Sequence, residues 1–127
     1  MINIGILALQ GNFKQHENML NDLGANSIYV RYPKDLEECD GLIIPGGEST
    51  SMSIQIDRTG FRKALKKFSQ IKSVLGTCAG MIMLSSNRKS NNLEPLCLMD
   101  FYVERNAWGR QVNSFIDKLT LLFSNSK

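Results

Sequence analysis

The stretch Gly76-Thr77-Cys78-Ala79-Gly80 constrains the fold more than any other part of the sequence. An apolar run, 71–75, precedes it, and an apolar run of helical character, 81–84, follows it. This order predicts a strand, a sharp turn and a helix with the Cys78 thiol at the apex, which is the layout of a nucleophile elbow. The flanking glycines remove Cβ atoms that would clash within such a turn. The start of the following helix favours negative charge, which suits both a thiolate and an oxyanion.

The alternative for Cys78 is an ordinary buried cysteine of the core, the commonest fate of an unpaired thiol. A G-x-C-x-G pattern seen alone does not separate the two interpretations. The surrounding sequence has to decide between them.

A second informative stretch, Pro45-Gly46-Gly47-Glu48-Ser49-Thr50, follows the short apolar run 41–44, which is typical of a buried strand. Two glycines at the carboxyl end of a strand allow backbone to approach a ligand closely, and ligands of open α/β sheets bind at that edge. Glu48 places a carboxylate there that suits a substrate ammonium group. Ser49 and Thr50 are candidate caps of the next helix. The alternative is a plain strand-to-helix turn, because glycine-rich turns are common.

Apolar runs and helical spacings alternate along the chain and predict the order β-α-β-α-β-α-β-α. This order indicates a three-layer, doubly wound α/β fold with a mostly parallel sheet, of flavodoxin-like type. The predicted segments are strand Ile2–Leu9, helix Phe13–Leu23, strand Ser27–Val30, a turn or short helix Pro33–Glu38, strand Leu42–Ile44, helices Ser51–Ile56 and Phe61–Ser69, strand Ile71–Leu75, helix Ala79–Ser86, and strands Leu96–Val103 and Val112–Phe115.

Composition places the chain among ordinary globular proteins. Its 127 residues, 43% hydrophobic and 21% charged, predict one domain over residues 1–127. A net charge of +3 is too small to indicate a nucleic-acid partner. Three cysteines cannot all pair, and neither a signal peptide nor a membrane-spanning run is seen, which predicts free thiols in the cytoplasm. Cys39 and Cys97 are interpreted as incidental or core residues, and no Cys/His spacing indicates a metal or cofactor site.

The cysteine motif and the glycine-rich motif, in this order, resemble the PdxT family of class I glutamine amidotransferases, the glutaminase subunits of pyridoxal 5′-phosphate synthase. The resemblance covers the chain from its start to about Phe115. The start Leu9-Gln10-Gly11 and the stretch from Val103 to Phe115 are more particular to this family than the two glycine-rich turns. The segments that carry it are 5–11, 45–50, 76–80, 98–100, 103–106, 109–111 and 114–115.

The resemblance implies a function and assigns roles. Cys78 matches the nucleophile that attacks the side-chain amide of L-glutamine, so that ammonia leaves and a thioester to glutamate is hydrolysed. The ammonia passes to a TIM-barrel synthase subunit that builds pyridoxal 5′-phosphate. The other implied roles are the oxyanion hole (N–H groups near Gly46 or Gly47 and of Ala79), the substrate-binding residues (Gly47, Glu48, Ser49 and Arg105) and a position near the synthase contact (Gln10).

The chain also departs from the family pattern. A cysteine amidase needs a histidine to move protons and a carboxylate to orient it, and the family takes both from a downstream His-x-Glu segment. This sequence has a single histidine, His16, and no His-x-Glu. His16 shares a predicted helix face with Phe13, Leu20 and Leu23, which indicates a structural residue. The chain is therefore expected to be the N-terminal part of the family domain, with residues 124–127 as a tail.

Three functional interpretations remain open at this point. The first is an ammonia-producing glutaminase. The second is a catalytically incompetent fragment that at most binds glutamine or the synthase partner. The third is a cysteine-elbow protein with redox or chaperone chemistry, against which the Glu48 turn and the Arg105 segment argue.

Overall fold

A computed structural model of the chain describes residues 1–11, 13–89 and 93–103. Four strands alternate with helices along the sequence, as expected from the alternation of apolar runs. The elements are β1 (Asn3–Leu7), α1 (Phe13–Asp22), β2 (Asn26–Val30), a 3-10 helix (Pro33–Glu38), β3 (Gly41–Ile44), α2 (Ser49–Arg58), α3 (Phe61–Ser69), β4 (Ser73–Gly76) and α4 (Ala79–Leu84).

The four strands form one sheet in the order β2-β1-β3-β4, and every neighbouring pair is parallel. In the register, Gly5 of β1 lies opposite Leu42 of β3, and Leu42 lies opposite Val74 of β4. Because parallel strands end at the same edge, the segments that follow β1, β3 and β4 come together there. The predicted doubly wound α/β class is confirmed.

Helices cover both faces of this sheet. On one face α1 packs against β1 and β2 around Ile6, Leu20 and Ile43. On the other face α2, α3, α4 and the 3-10 helix enclose the larger core cluster, which includes Leu42 and Ile44. Successive residues of β3 point to opposite faces, which is why a continuous apolar run serves both layers.

Helix α3 shows how the sequence pattern becomes packing. Phe61, Leu65 and Phe68 recur at helical spacing and are buried, while Lys63 and Lys66 are exposed on the opposite side. The predicted helix Phe61–Ser69 is confirmed in its bounds.

Several predicted boundaries were wrong by a few residues. Strand β4 begins at Ser73 because Ile71 and Lys72 lie in the turn that follows α3, where their N–H groups donate to the carbonyl of Phe68 at 3.1 and 2.9 Å. Ile71 is 78% exposed and contributes little to the core. Helix α2 starts two residues earlier than predicted, at Ser49.

The predicted strand Leu96–Val103 was also wrong. Its N–H groups bond to the carbonyls at the end of α4 instead of to a strand: Leu96 to Met83 at 2.7 Å, Cys97 to Ser85 at 3.1 Å and Leu98 to Leu84 at 3.1 Å. The last carbonyls of a helix have no partner within the helix and accept such bonds readily. The other predicted strand, Val112–Phe115, lies outside the described residues.

Candidate active site

The cysteine elbow (residues 76–80) has the strand–turn–helix geometry that the sequence predicts. Strand β4 ends at Gly76, and the N–H of Thr77 still donates to the carbonyl of Ile44 at 3.0 Å. Helix α4 begins at Ala79, closed by a bond from Gly80 N to Thr77 O at 2.8 Å. Between them Cys78 is exposed and has φ 51° and ψ −116°.

This backbone conformation is costly for a residue with a side chain, on the order of 1–3 kcal/mol. It persists because the surrounding backbones pack too closely for an alternative. A Cβ added to Gly80 would collide with the carbonyl oxygen of Ile44, and one added to Gly76 would lie 2.6 Å from the carbonyl oxygen of Gly80. Three backbone segments therefore hold the thiol at the apex.

The glycine turn (residues 45–48) lies directly beside this thiol. A Cβ placed on Gly46 would lie 3.1 Å from the Cβ of Cys78 and 3.7 Å from its Sγ. The structure thus brings together the two glycine-rich motifs of the sequence, which are separated by about thirty residues. An acyl group bonded to the thiol would have the backbone of Gly46 and Gly47 as a neighbour.

The glycine turn and the start of α4 contribute backbone amides next to this thiol. Within the described residues, the N–H groups of Gly46, Gly47 and Ala79 have no recorded acceptor. Ala79 is the first residue of α4, where N–H groups lack partners within the helix and the helix dipole favours negative charge. These three positions are the ones that the family resemblance assigns to the oxyanion hole.

Glu48 caps helix α2, a role that the sequence suggested for its neighbours. Its carboxylate accepts hydrogen bonds from Thr50 N at 3.0 Å and from Ser51 N at 2.7 Å. Ser49 is the first residue of the helix and is buried. The capping interpretation of Ser49 and Thr50 was therefore wrong, while the substrate-binding roles of Glu48 and Ser49 stay predictions.

Gln10 reaches into the site from the end of β1. Its side-chain oxygen accepts from Glu48 N at 2.5 Å, and its amide nitrogen donates to Gln55 Oε1 on α2 at 2.8 Å. The side chain also fills the space that a Cβ on Gly47 would need. The synthase contact of Gln10 remains a prediction. The structure shows in addition that its side chain connects the glycine turn to α2. Sequence reasoning missed Gln55. The only sequence feature that could have indicated it is its spacing of four residues from Ser51, which places both polar side chains on one face of α2.

Arg105 and His16 remain to be placed. Arg105 lies outside the described residues. His16 is half-buried on α1, which packs on β1 and β2, whereas the thiol follows β4 at the far side of the sheet. No recorded hydrogen bond connects His16 to Cys78 within the described part of the chain. Leu23, predicted on the same face as His16, is 75% exposed.

The three cysteines are all unpaired, but their surroundings differ. Cys39 is buried in the core, and this burial raises the pKa of its thiol. Its Sγ lies 3.5 Å from the carbonyl oxygen of Asp35. Cys97 is exposed, which leaves the incidental one of its two predicted interpretations, and it has φ 56° without a glycine-flanked turn.

Residues 1–11, 13–89 and 93–103 contain no group of three or more His, Cys, Asp or Glu side chains placed to bind a metal ion. Over the same ranges, none of the helices has the length and apolar character needed to cross a bilayer.

Fold and site together define a parallel α/β protein with an exposed cysteine at a strand–turn–helix elbow that faces a glycine-rich turn. The SNO glutamine amidotransferase family matches residues 6–125, and the chain belongs to this family. The predicted resemblance is thereby confirmed.

Individual proteins agree with this assignment. The chain is 45% identical over 122 residues to a protein of Bacillus licheniformis named pyridoxal 5′-phosphate synthase subunit PdxT, covering 95% of this chain and 62% of that protein. A protein of the same name from Dehalococcoides mccartyi is 48% identical over 117 residues, covering 90% and 60%. A crystal structure of a glutamine amidotransferase matches with a TM-score of 0.78 at 38% identity, covering 88% of this chain and 61% of that one. The chain thus spans less than two thirds of the length of these relatives.

Proposed function

We propose that this site hydrolyses L-glutamine to glutamate and ammonia. Cys78 is the nucleophile, and the N–H groups of Ala79 and of Gly46 or Gly47 form the oxyanion hole. Gly47, Glu48 and Ser49 bind the substrate, with Arg105 as a further binding residue. The observation that carries the proposal is the contact between Gly46 and Cys78, which sets unpaired backbone amides beside an exposed thiol.

The chemistry follows from these groups. The thiolate attacks the side-chain amide carbon of glutamine, and the carbonyl oxygen becomes an oxyanion that the backbone amides stabilise. The thiol gives its proton to solvent water, and the amide nitrogen takes a proton from water as the tetrahedral intermediate collapses. Ammonia then leaves, which gives a γ-glutamyl thioester. Water then adds to the thioester, and glutamate leaves with return of the proton to the thiol.

The ammonia is delivered to a partner, which we propose is the TIM-barrel synthase subunit that makes pyridoxal 5′-phosphate. Support comes from the names of the relatives, which are subunits of pyridoxal 5′-phosphate synthase. Gln10, at the carboxyl edge of the sheet, is the proposed contact position. A cytoplasmic location fits three unpaired thiols, because reducing compartments keep cysteines free.

A second candidate function is binding of glutamine or of the synthase without turnover. The position of the single histidine of the sequence favours it: His16 lies on α1, across the sheet from the elbow. A general acid–base typically contributes ~10²–10⁴ in rate, so a thiol without one forms a thioester slowly and releases ammonia poorly.

Covalent labelling tests the nucleophile and the substrate together. A glutamine analogue with an electrophilic ketone in place of the side-chain amide should modify Cys78 at one equivalent, and free L-glutamine should protect it. Iodoacetamide should label Cys78 first, Cys97 next and the buried Cys39 last, as mapped by mass spectrometry. Cys78→Ala is the control, and labelling of Cys39 or Cys97 by the analogue would contradict the proposal.

Ammonia release then separates the two candidates. Protection by glutamine with ammonia release in the presence of the synthase subunit supports hydrolysis. Protection with release no faster than for Cys78→Ala supports binding without turnover.

A further inference from the structure

A cluster of polar contacts links α2, which starts at the candidate site, to α3 and to the segment 93–98. Ser53 on α2 is 0% exposed, and its hydroxyl contacts both backbone atoms of Glu94: it accepts from Glu94 N at 2.8 Å and lies 3.3 Å from Glu94 O. Arg62 on α3 donates to Ser53 Oγ at 3.4 Å and to Pro95 O at 3.2 Å. We call Ser53, Arg62, Glu94 and Pro95 the clamp.

The guanidinium of Arg62 is itself held in place. Its Nε donates to Asp57 Oδ1 at 2.6 Å, and the Arg62 side chain is only 16% exposed. One planar group therefore bonds to α2 through Asp57 and Ser53 and to the segment 93–98 through Pro95. A planar fork of five donors makes such a multiple contact possible, and a lysine ammonium does not reproduce it.

The segment 93–98 continues from the clamp to helix α4. Leu93 and Leu96 are buried in the core, and Leu96 N donates to Met83 O at 2.7 Å. The N–H groups of Cys97 and Leu98 bond to the carbonyls of Ser85 and Leu84. The clamp is thus connected on one side to α2 and on the other side to the end of α4.

The positions along the two helices correspond. Ser53 follows Glu48, the cap of α2, by five residues, and Met83 follows Cys78, the cap of α4, by five residues. Ser53 and Met83 each bond to the segment 93–98, and each lies about 7.5 Å along its helix from the residue that caps it, at 1.5 Å per residue. A displacement of the segment 93–98 would therefore shift α2 and α4, and with them the glycine turn and the thiol.

We propose that Ser53 and Arg62 are positioning residues for the glutaminase site. They set the distance between the amides of the glycine turn and the Sγ of Cys78 without touching the substrate. The proposal rests on the function proposed above. A misplacement of about 1 Å at a reacting centre costs up to about a hundredfold in rate, so even a small shift of α2 against α4 is measurable.

The test compares a substrate-directed reagent with an undirected one on the full chain. Ser53→Ala removes the shared hydroxyl, and Arg62→Lys keeps the charge but loses the fork. We expect each to slow Cys78 labelling by the electrophilic glutamine analogue by about tenfold to a hundredfold. The iodoacetamide rate should stay within about twofold, because a small reagent does not need the oxyanion amides.

Ser69→Ala is the matched control, since its hydroxyl donates to Lys66 O within α3 and does not contact the clamp. Labelling is measured well below the melting temperature of each variant, which circular dichroism gives. If Ser53→Ala does not fold, Arg62→Lys carries the same comparison.

The outcomes distinguish a positioning role of the clamp from a purely structural one, and both from a failure of the proposed function. A lower melting temperature with an unchanged ratio of directed to undirected rate shows a purely structural clamp and overturns the positioning role. A wild-type chain in which free L-glutamine does not protect Cys78 from the analogue overturns the proposed function, and the positioning role with it. A reduced ratio in both variants, with Ser69→Ala at the wild-type ratio, supports the proposal.

Discussion

The glycine turn after β3 and the cysteine elbow after β4 lie side by side at one edge of the sheet, yet different interactions hold them. Side chains brace the glycine turn, since Gln10 binds Glu48 N and the Glu48 carboxylate caps α2. Close backbone packing holds the elbow, since Gly80 leaves no room for a Cβ beside Ile44 O. Cys78 itself makes no side-chain cap of α4.

This difference agrees with the proposed function. Under that proposal Cys78 must keep its side chain free for the substrate, so close backbone packing rather than the thiol has to hold the elbow. The glycine turn offers only backbone amides, so its side chains are available to fix it. The two turns should therefore respond differently to mutation. Added side-chain volume should destabilise the elbow, and loss of a side-chain hydrogen bond should destabilise the glycine turn.

The largest effect should come from Gly80→Ala. Helix propensity alone favours alanine by about 1 kcal/mol, but the new Cβ would overlap the carbonyl oxygen of Ile44. Overpacking against backbone dominates, and we expect a loss of about 3 kcal/mol or more in the free energy of unfolding, measured by urea denaturation.

Gly60→Ala is the control for this variant. Gly60 has φ 77° with nothing near its missing Cβ, so only the cost of a left-handed residue, about 1–2 kcal/mol, should appear. Equal losses at Gly60 and Gly80 would show that packing does not hold the elbow.

Gln10→Ala should have an intermediate effect. It removes two hydrogen bonds and leaves Glu48 N and the Gln55 side chain without this partner, which should cost about 1–2 kcal/mol. Directed labelling of Cys78 should fall with it, because the glycine turn loses its brace. The exposed Gln15 of α1 provides the control, and Gln15→Ala should leave both quantities near wild type. Wild-type labelling in Gln10→Ala would show that the turn holds its shape without side chains.

Glu48→Gln should have the smallest effect. The amide keeps one acceptor oxygen but loses the second cap bond and the charge at the start of α2, for a cost of about 0.5–1 kcal/mol. Added salt should reduce the difference from wild type, because the charge is exposed and screened. Glu37→Gln, at an exposed position of the 3-10 helix, is the control. A salt-independent loss would assign the effect to the hydrogen bond rather than to the charge.

Much of the site could be predicted because its signals are local. The order of apolar run, glycine-flanked cysteine and apolar run predicted the elbow, and its backbone geometry follows from five consecutive residues. The strand 41–44 and the glycine turn were recognisable for the same reason. Wrong predictions arose where a segment's partners are distant: Leu96–Val103 has strand composition, but its N–H groups bond to the free carbonyls of α4.

The sequence by itself determined the alternation of strands and helices, the apex position of Cys78 and membership of the glutamine amidotransferase family. These follow from periodicity and from motifs that act over a few residues. Only the tertiary structure decided that Gly46 lies beside Cys78, that Glu48 rather than Ser49 caps α2, and that Ser53 and Arg62 connect α2 to the segment 93–98. Such contacts depend on the parallel register, which brings the ends of separate strands to one edge, and on which buried polar groups find partners there.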